Sequence, residues 1–204
     1  MRADAERNRG RLLDAACRTY MEQGPDAPLD AIARRAGLGI ATLYRHFGDR
    51  TALLRAVAAD VLAAAEAAGD RARAEEPDAF SALRRYMHDV LDGCVPVLMP
   101  ALGPAVREAP EVRARLDAAA AVQRRLIDDA KAEGTLHPDV EFADIGLALT
   151  RFARPIAGDF DPAAEAALAH RHLELFVRGL RTGDGAPLPG PALTLGGLRS
   201  MRTP

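Results

Sequence analysis

Tryptophan is absent from this chain of 204 residues, and cysteine and aromatic residues are scarce. Only 4% of the residues are aromatic, β-branched residues are few, and alanine is abundant. Because alanine favours helices whereas aromatic and β-branched residues favour strands, the composition predicts an all-α fold. The two cysteines, Cys17 and Cys94, lie in no metal-binding or redox spacing, so we expect two small buried side chains and no metal or cofactor.

The sequence also lacks a long apolar run. The longest strongly apolar stretch, Cys94 to Leu102, is broken by Pro96 and Pro100 and is far shorter than a membrane-spanning helix. Residues 1–11 have no apolar core of the length that an export signal needs. We therefore expect a cytoplasmic protein with no membrane partner.

Acidic and basic residues nearly balance, with a net charge of −2, but they are unevenly distributed. Residues 1–50 contain nine arginines against seven acidic residues, whereas residues 51–204 contain 18 basic against 22 acidic residues. The N-terminal part of the chain therefore has a small net positive charge. Positive is the sign of charge that nucleic-acid binding requires. The excess is small, and ordinary solvated faces are the alternative interpretation.

Two short helices joined by a tight turn are predicted over residues 29–47. The first carries apolar residues at steps of three and four, namely Leu29, Ile32, Ala33 and Ala36. Gly37 can end this helix in a left-handed conformation, and Leu43 can anchor the second helix inward. The second helix then has an outer surface formed by Ala41, Thr42, Tyr44, Arg45 and His46. This arrangement is a helix-turn-helix, and its outer surface is the candidate DNA-binding face.

The segment Thr42-Leu-Tyr-Arg-His-Phe47, followed by Asp49-Arg50 and Leu53-Leu54, resembles the TetR family of transcriptional regulators. The resemblance covers about the first quarter of the chain at the level of motifs. It implies a dimeric all-α protein that binds a palindromic operator in double-stranded DNA, usually as a repressor. It also implies that a small ligand in the C-terminal domain releases the DNA.

The resemblance assigns roles to individual residues of the predicted recognition helix. Tyr44 and Arg50 match positions that usually contact phosphates, whereas Thr42, Arg45 and His46 are expected to make base-edge or mixed contacts. Arg45 can donate two hydrogen bonds to guanine. His46 is equally expected to contact only a phosphate.

The start of the recognition helix departs from the family pattern, which often has a polar residue there. This chain has Gly39, Ile40 and Ala41 instead. Ile40 and Ala41 could contact thymine methyl groups, or Gly39 could allow the backbone to approach a phosphate closely. Pro28 likewise stands where the family often has a hydroxyl residue, so phosphate contacts must come from elsewhere.

Three segments are expected along the chain. Residues 1–48 form the DNA-binding domain, residues 49–181 form the effector-binding and dimerisation domain, and residues 182–204, rich in glycine and proline, form a flexible tail. Within the second segment, residues 49–68 form a connecting helix with Asp49 as its N-cap, and residues 69–76 form a charged break after it.

An effector pocket is expected among the helices of the second segment, where the family has its ligand cavity. Prolines 96, 100, 104 and 110 prevent one straight helix and could open space. The candidate lining residues are Leu83, Met87, Leu91, Cys94, Val97, Leu98 and Met99. They indicate a small, largely apolar effector, although a stripe of Met and Leu at helical spacing more often belongs to a plain core.

The last two predicted helices carry the assembly signal. Apolar residues recur at steps of three and four near residues 142–156, and the helix over 162–181 is apolar on two sides. The resemblance implies that these helices form a four-helix bundle across the two-fold axis of a homodimer. The candidate interface residues are Phe142, Ile145, Leu149, Phe152, Leu168, Leu175 and Phe176. A bundle formed within one chain is the alternative.

The sequence therefore predicts a DNA-binding transcriptional regulator, most simply a ligand-responsive repressor. A constitutive DNA-binding protein without an effector is an alternative. An all-α enzyme is another, but His170 and His172 are two residues apart and diverge on a helix, and no serine or cysteine lies in a nucleophile motif. No catalytic activity is expected.

Overall fold

The computed structural model describes residues 2–156, 161–183, 188–190 and 194–200, with only the backbone for residues 2 and 198–200. In these ranges the chain forms α1 (Arg2–Gln23), α2 (Leu29–Arg35), α3 (Ile40–Phe47), α4 (Arg50–Glu75), α5 (Ala79–Asp92), α6 (Val95–Ala101), α7 (Pro104–Arg107), α8 (Pro110–Ala132), α9 (Phe142–Phe152), α10 (Pro162–Gly179) and α11 (Leu195–Ser200). Over these residues there is no strand, and Leu136 and Arg181 form one isolated bridge. The prediction of an all-α fold is confirmed.

Two compact units divide the chain, and we call them the head unit and the body unit. The head unit comprises Met1–Ala64 and Val97–Ala118, and the body unit comprises Ala65–Pro96 and Ala119–Pro204. The head unit therefore extends well beyond the expected boundary at residue 48. The reason lies in apolar residues between 97 and 118, among them Leu98, Leu102 and Val112, which are buried although they are distant in sequence from the helix-turn-helix.

The helix ends follow from local capping. Asp49 accepts a hydrogen bond from the backbone N of Ala52 at 2.7 Å, which confirms its expected role as the N-cap of α4. Asp78 caps α5 by accepting bonds from both the backbone N and the Oγ of Ser81, each at 2.8 Å. The backbone bond above all holds the pKa of Asp78 below its usual value. The prolines between 96 and 110 predict that this segment is not one straight helix, and it forms α6, α7 and the start of α8.

The body unit has a large apolar cluster formed by α5, α9 and α10 with parts of α4 and α8. Its most deeply buried members include Met87, Leu126, Ile145 and Leu173. The connecting helix differs from expectation, since α4 continues without a break to Glu75 instead of ending near residue 68. Gly69 lies inside it, at a point of close helix packing.

Part of the expected flexible tail lies in the described residues and is attached to the body unit. Thr182 donates from its backbone N to the carbonyl of Thr135 at 3.2 Å and from its Oγ1 to the carbonyl of Gly134 at 2.7 Å. The backbone N of Leu188 donates to Asp139, and α11 packs against α9. Residues 184–187, 191–193 and 201–204 of this predicted tail lie outside the described residues.

None of the helices in the described ranges is both long enough and apolar enough to cross a membrane.

Candidate nucleic-acid interface

The turn between α2 and α3 is closed by backbone hydrogen bonds and one glycine. Gly37 has a φ of +64°, which side chains other than glycine adopt at a cost. The backbone N of Leu38 donates to Ala33 and that of Gly37 donates to Arg34, both at 2.9 Å. This is the Schellman pattern of bonds that ends a helix and satisfies its last carbonyls. The turn therefore has the geometry that the sequence predicts.

Helix α1 supports this pair of helices. Leu12, Ala16 and Tyr20 are fully buried on its inner side, and α1 packs against α2. Arg35 of α2 donates to Thr19 Oγ1 at 3.3 Å and to Glu22 Oε1 at 2.7 Å on α1. The hydrogen bond from Arg35 lowers the pKa of Glu22, so the carboxylate stays charged at lower pH than an isolated glutamate does.

Helix α3 has one buried side and one exposed side. Leu43 and Phe47 are buried and anchor it, as predicted. The predicted DNA-binding residues lie away from this anchor: Gly39, Ile40, Ala41, Tyr44 and Arg45 are exposed, and Thr42 and His46 are half-buried. Ile40 and Tyr44 are among the few large apolar side chains that the described part of the chain exposes, at 36% and 49%. The exposed side therefore has the mixed apolar and basic character that a base-reading surface needs.

Arg45 has a partner on its own helix. Its Nη2 donates to Thr42 Oγ1 at 3.3 Å, one turn earlier. The bond directs the guanidinium toward the start of α3, because positions three apart lie on the same side of a helix. Thr42 thus positions Arg45 and lies beside it on the exposed side.

Arg50 has a different environment from the other predicted DNA-binding residues. It is half-buried, and its Nη1 donates to the carbonyl oxygens of Pro25 at 3.2 Å and Ala27 at 2.8 Å. These carbonyls belong to the loop between α1 and α2. Arg50 therefore ties the start of α4 to that loop, a structural role that sequence reasoning did not identify because the partners are more than 20 residues away.

Two arginines of α1 lie next to the recognition helix and were not among the predicted site residues. The guanidinium of Arg9 lies 5.4 Å from the ring centroid of Phe47, at a cation–π distance. Arg11 lies beside Gly37. A Cβ atom built on Gly37 would be 2.8 Å from Nη2 of Arg11. The cluster of arginines near the N-terminus is the sequence signal that could have identified them.

The predicted effector residues are tightly packed and divided between the two units. Leu83, Met87, Leu91 and Cys94 belong to the body unit and are all buried. Val97, Leu98 and Met99 belong to the head unit, where Leu98 is fully buried and its two neighbours are half-buried. Two open clefts, of about 490 Å³ in the head unit and 710 Å³ in the body unit, are lined by other residues.

The predicted dimer residues also separate into two groups. Ile145 and Leu149 are almost completely buried within the single chain, so their side chains cannot contact a second chain directly. Phe142, Phe152, Leu168 and Phe176 are half-buried, and the rings of Phe152 and Phe176 pack edge to face at 5.7 Å. Leu175 is 58% exposed and is the one of the seven that projects fully from the surface.

A short exposed helix, held by two supporting helices and a Schellman turn, defines a helix-turn-helix DNA-binding regulator. The family described as bacterial regulatory proteins, tetR family, matches residues 12–57, which span this assembly. The chain is 29% identical over 178 residues to the transcriptional repressor LfrR of Mycolicibacterium smegmatis, covering 87% of this chain and 90% of that protein.

Solved structures extend the similarity over most of the chain. The TetR transcriptional regulator SCO0520 from Streptomyces coelicolor has a TM-score of 0.62 and 31% identity, covering 85% of this chain and 98% of that one. LfrR from Mycobacterium smegmatis in complex with proflavine has a TM-score of 0.61 and 25% identity, covering 90% and 99%. The chain belongs to the TetR family and is a DNA-binding transcriptional regulator. Its relatives are regulators rather than enzymes, which confirms the expectation of a non-catalytic protein.

Proposed function

We propose that this protein is a repressor that binds a near-palindromic operator as a homodimer in the cytoplasm and releases it when a small effector binds. The observation that carries the proposal is the exposed side of α3, which combines Ile40, Tyr44 and Arg45 on a rigidly anchored helix. The repressor LfrR, a relative along most of the chain, supports repression as the direction of regulation.

In this proposal, α3 enters the major groove. Arg45, directed by Thr42, donates to a guanine, a contact worth about 1 to 3 kcal/mol of discrimination against other bases. Tyr44 donates to a phosphate, and His46 contacts either a base edge or a phosphate. Ile40 and Ala41 lie against thymine methyl groups at the start of the helix, where Gly39 has no side chain to act as a cap.

The dimer is proposed to form through α9 and α10, with the exposed Leu175 at its centre and the half-buried Phe142, Phe152, Leu168 and Phe176 around it. Ile145 and Leu149 support this surface from inside the chain. Two heads in such a dimer would read successive major grooves about 34 to 36 Å apart, which requires an inverted repeat in the DNA.

The effector is proposed to bind in the body unit among Leu83, Met87, Leu91 and Cys94. These side chains are packed against each other or their neighbours, so the ligand must displace them and thereby stabilise a different arrangement of the helices. A coupling of only about 1 to 3 kcal/mol would change operator affinity roughly 5- to 150-fold. Val97, Leu98 and Met99 are proposed as a second group of responding residues. The complex of LfrR with proflavine supports a small-molecule effector.

Selection of binding sites from a random double-stranded DNA library, with the full chain, tests the proposal. We expect an enriched inverted repeat whose half-sites are centred about 10 base pairs apart or a multiple of that spacing. Enrichment of one isolated half-site would exclude the dimeric mode, and absence of any enriched sequence would exclude sequence reading by α3.

The effector is tested on the selected operator by native mass spectrometry for a copurifying compound and by titration with proflavine. Operator release by either compound supports the ligand-responsive repressor. An operator affinity that neither compound changes would favour the constitutive DNA-binding alternative.

A further inference from the structure

Two histidines of the body unit face each other between α5 and α10. His88 Nδ1 and His170 Nδ1 are 2.8 Å apart, and the planes of the two rings differ by only 7°. The ring centroids are 5.1 Å apart. This separation equals the distance between the two nitrogens plus one ring radius at each end. The two rings are therefore coplanar and meet edge to edge, which is the geometry of a straight N–H···N hydrogen bond rather than of a face-to-face stack.

A metal ion does not explain this geometry. Two imidazole nitrogens bound to one tetrahedral zinc ion would be about 3.3 Å apart, because each zinc–nitrogen bond is about 2 Å long. The nitrogens of His88 and His170 are 2.8 Å apart, which leaves room for a proton between them but not for a metal. The described residues likewise contain no cluster of three or more histidine, cysteine or acidic side chains that could hold a metal ion.

The outer nitrogen of each ring faces a carboxylate. His170 Nε2 is 2.7 Å from Asp92 Oδ1, and His88 Nε2 is 3.4 Å from Glu174 Oε2. Glu174 also accepts hydrogen bonds from Arg84 at 2.8 Å and Arg178 at 3.2 Å. The bond from Arg84 above all lowers the pKa of Glu174, so this carboxylate remains an acceptor. The result is a continuous chain of polar contacts from Asp92 on α5 to Glu174 on α10.

The number of protons that this chain needs follows from its contacts. A carboxylate can only accept, so both outer nitrogens must carry a hydrogen, and a third hydrogen must lie between the two Nδ1 atoms. Two neutral imidazoles carry only two hydrogens. All three contacts are therefore made only when the pair holds one additional proton and one positive charge. A second additional proton would place hydrogens on both Nδ1 atoms and break the central bond.

We propose that the pair of His88 and His170 is a proton-sensitive tie between α5 and α10, complete when the two rings share one additional proton and broken when each ring is fully protonated. The rings are accessible enough to exchange protons, with side-chain exposures of 23% and 33%. In acid the unfolded chain binds two additional protons at these residues and the intact tie binds one, so the stabilisation falls as the pH falls. In base the intact tie gives up its proton and loses the contact to Glu174.

Other charged groups near the pair have partners of their own or lie at the surface. On α5, Arg85 bonds with Glu75 and Glu76 and lies 4.0 Å from Asp89. On α10, Arg171 and His172 are exposed beside His170. From α9, which packs against both helices, Asp144 is held in the capping box of its own helix and Arg151 is exposed. Asp92 and Glu174 are thus the carboxylates that control the pair.

Nitrogen NMR on the full chain, labelled with ¹⁵N-histidine and free of a histidine tag, tests the tie directly. Near neutral pH we expect a coupling between two Nδ1 nuclei across a shared proton, and its loss on acidification while the protein is still folded. The coupling should disappear in His88→Gln and in His170→Gln and persist in His172→Gln, the matched control on the same helix. Absence of the coupling at every pH from 6 to 8 would overturn the proposal.

Thermal unfolding supplies a second readout that needs neither DNA nor a dimer. We expect wild type to unfold on the order of 4 °C above His88→Gln near neutral pH, since the hydrogen bond between one protonated and one neutral ring is lost. This difference should shrink toward pH 5, whereas His172→Gln should follow wild type throughout. A difference that stays constant with pH would contradict the proposal. Should His88→Gln fail to fold, His170→Gln, at the more exposed ring, gives the same comparison.

Discussion

A Cβ atom on Gly69 would lie 2.1 Å from Cγ1 of Val122, closer than side-chain atoms approach. Val122 is buried on α8, and a ring carbon of Tyr86 lies 3.4 Å from the same point. The glycine therefore lets α4 and α8 pack closely within the body unit. We expect Gly69→Ala to lower the free energy of unfolding by about 1 to 3 kcal/mol, because the buried Val122 must move. Denaturant unfolding measures the change.

Gly146 in α9 is the matched control for Gly69. It is also helical, but a Cβ built there has nothing within 4 Å. We expect Gly146→Ala to raise the free energy of unfolding by about 0.5 to 1 kcal/mol, since alanine favours the helix and restricts the unfolded chain. Equal effects of the two substitutions would mean that the close approach at Gly69 has no energetic cost.

The helices themselves were largely predictable, because capping and periodicity are local. Asp49 and Asp78 mark helix starts, and the segment with prolines between 96 and 110 is not one straight helix, as expected. The sequence predicts that Gly69 is part of a break, but it lies inside α4. A glycine that allows close packing and a glycine that ends a helix look the same in one sequence, because the difference lies in a residue of another helix.

Two substitutions on α3 should distinguish residues that set the affinity for DNA from residues that set the preference for particular bases. We expect Arg45→Ala to reduce discrimination at one guanine position of the operator by about 1 to 3 kcal/mol, because a bidentate contact is lost. Tyr44→Phe removes only a hydroxyl and should weaken binding to all sequences alike, by no more than about tenfold. Fluorescence anisotropy with the selected operator and its single-base variants measures both effects. If Arg45→Ala weakens all sequences equally, Arg45 contacts phosphate instead.

Arg50→Ala should affect stability as well as DNA binding. The substitution removes two hydrogen bonds to the loop carbonyls of Pro25 and Ala27, so we expect the free energy of unfolding to fall by about 1 to 2 kcal/mol. Denaturant unfolding without DNA isolates this loss, and Tyr44→Phe, at an exposed residue, is the control that should leave stability unchanged. Unchanged stability of Arg50→Ala combined with weaker operator binding would make phosphate contact its main role.

Sequence reasoning could find exposed site residues but not those defined by distant contacts. The inward positions of Leu43 and Phe47 fix which residues of α3 face outward, and that follows from helical periodicity alone. The partners of Arg50 and the head-to-head arrangement of His88 and His170 depend on tertiary packing. Ile145 and Leu149 lie in the same apolar repeat as their neighbours, and periodicity does not reveal whether an apolar face is covered by its own chain or by another.

Leu175→Glu should dissociate the proposed dimer without unfolding the protomer. Leu175 is 58% exposed within the single chain, so a charge there costs little until a second chain covers it. Phe152 is less suitable because its half-buried ring packs against Phe176 of the same chain. Sedimentation velocity should show monomers of Leu175→Glu and dimers of the control Ile40→Glu, which places the same charge on α3. Dimers of both variants would place the interface elsewhere.

Ile40 should read thymine, and this can be tested by removing one methyl group from the DNA. Uracil differs from thymine only in lacking the methyl group on C5, so replacing each operator thymine in turn probes apolar contact alone. We expect that, in each half-site, one of these single replacements weakens binding about fourfold. The reason is that the burial of one methyl group against Ile40 is lost, which is worth about 0.8 kcal/mol. The same substitution should have no effect on Ile40→Ala and its full effect on Ile156→Ala, a control that is also exposed but lies outside α3.

Gly39 distinguishes thymine contact from close backbone approach at the start of α3. A Cβ on Gly39 meets nothing within 4 Å in the protein, so Gly39→Ala should fold normally. If Ile40 provides the contact, Gly39→Ala keeps both its operator affinity and its sensitivity to uracil. If the backbone itself lies against a phosphate, the added methyl group weakens binding at every operator sequence while uracil has no effect in wild type. The two outcomes exclude each other, because one depends on a base and the other on the DNA backbone.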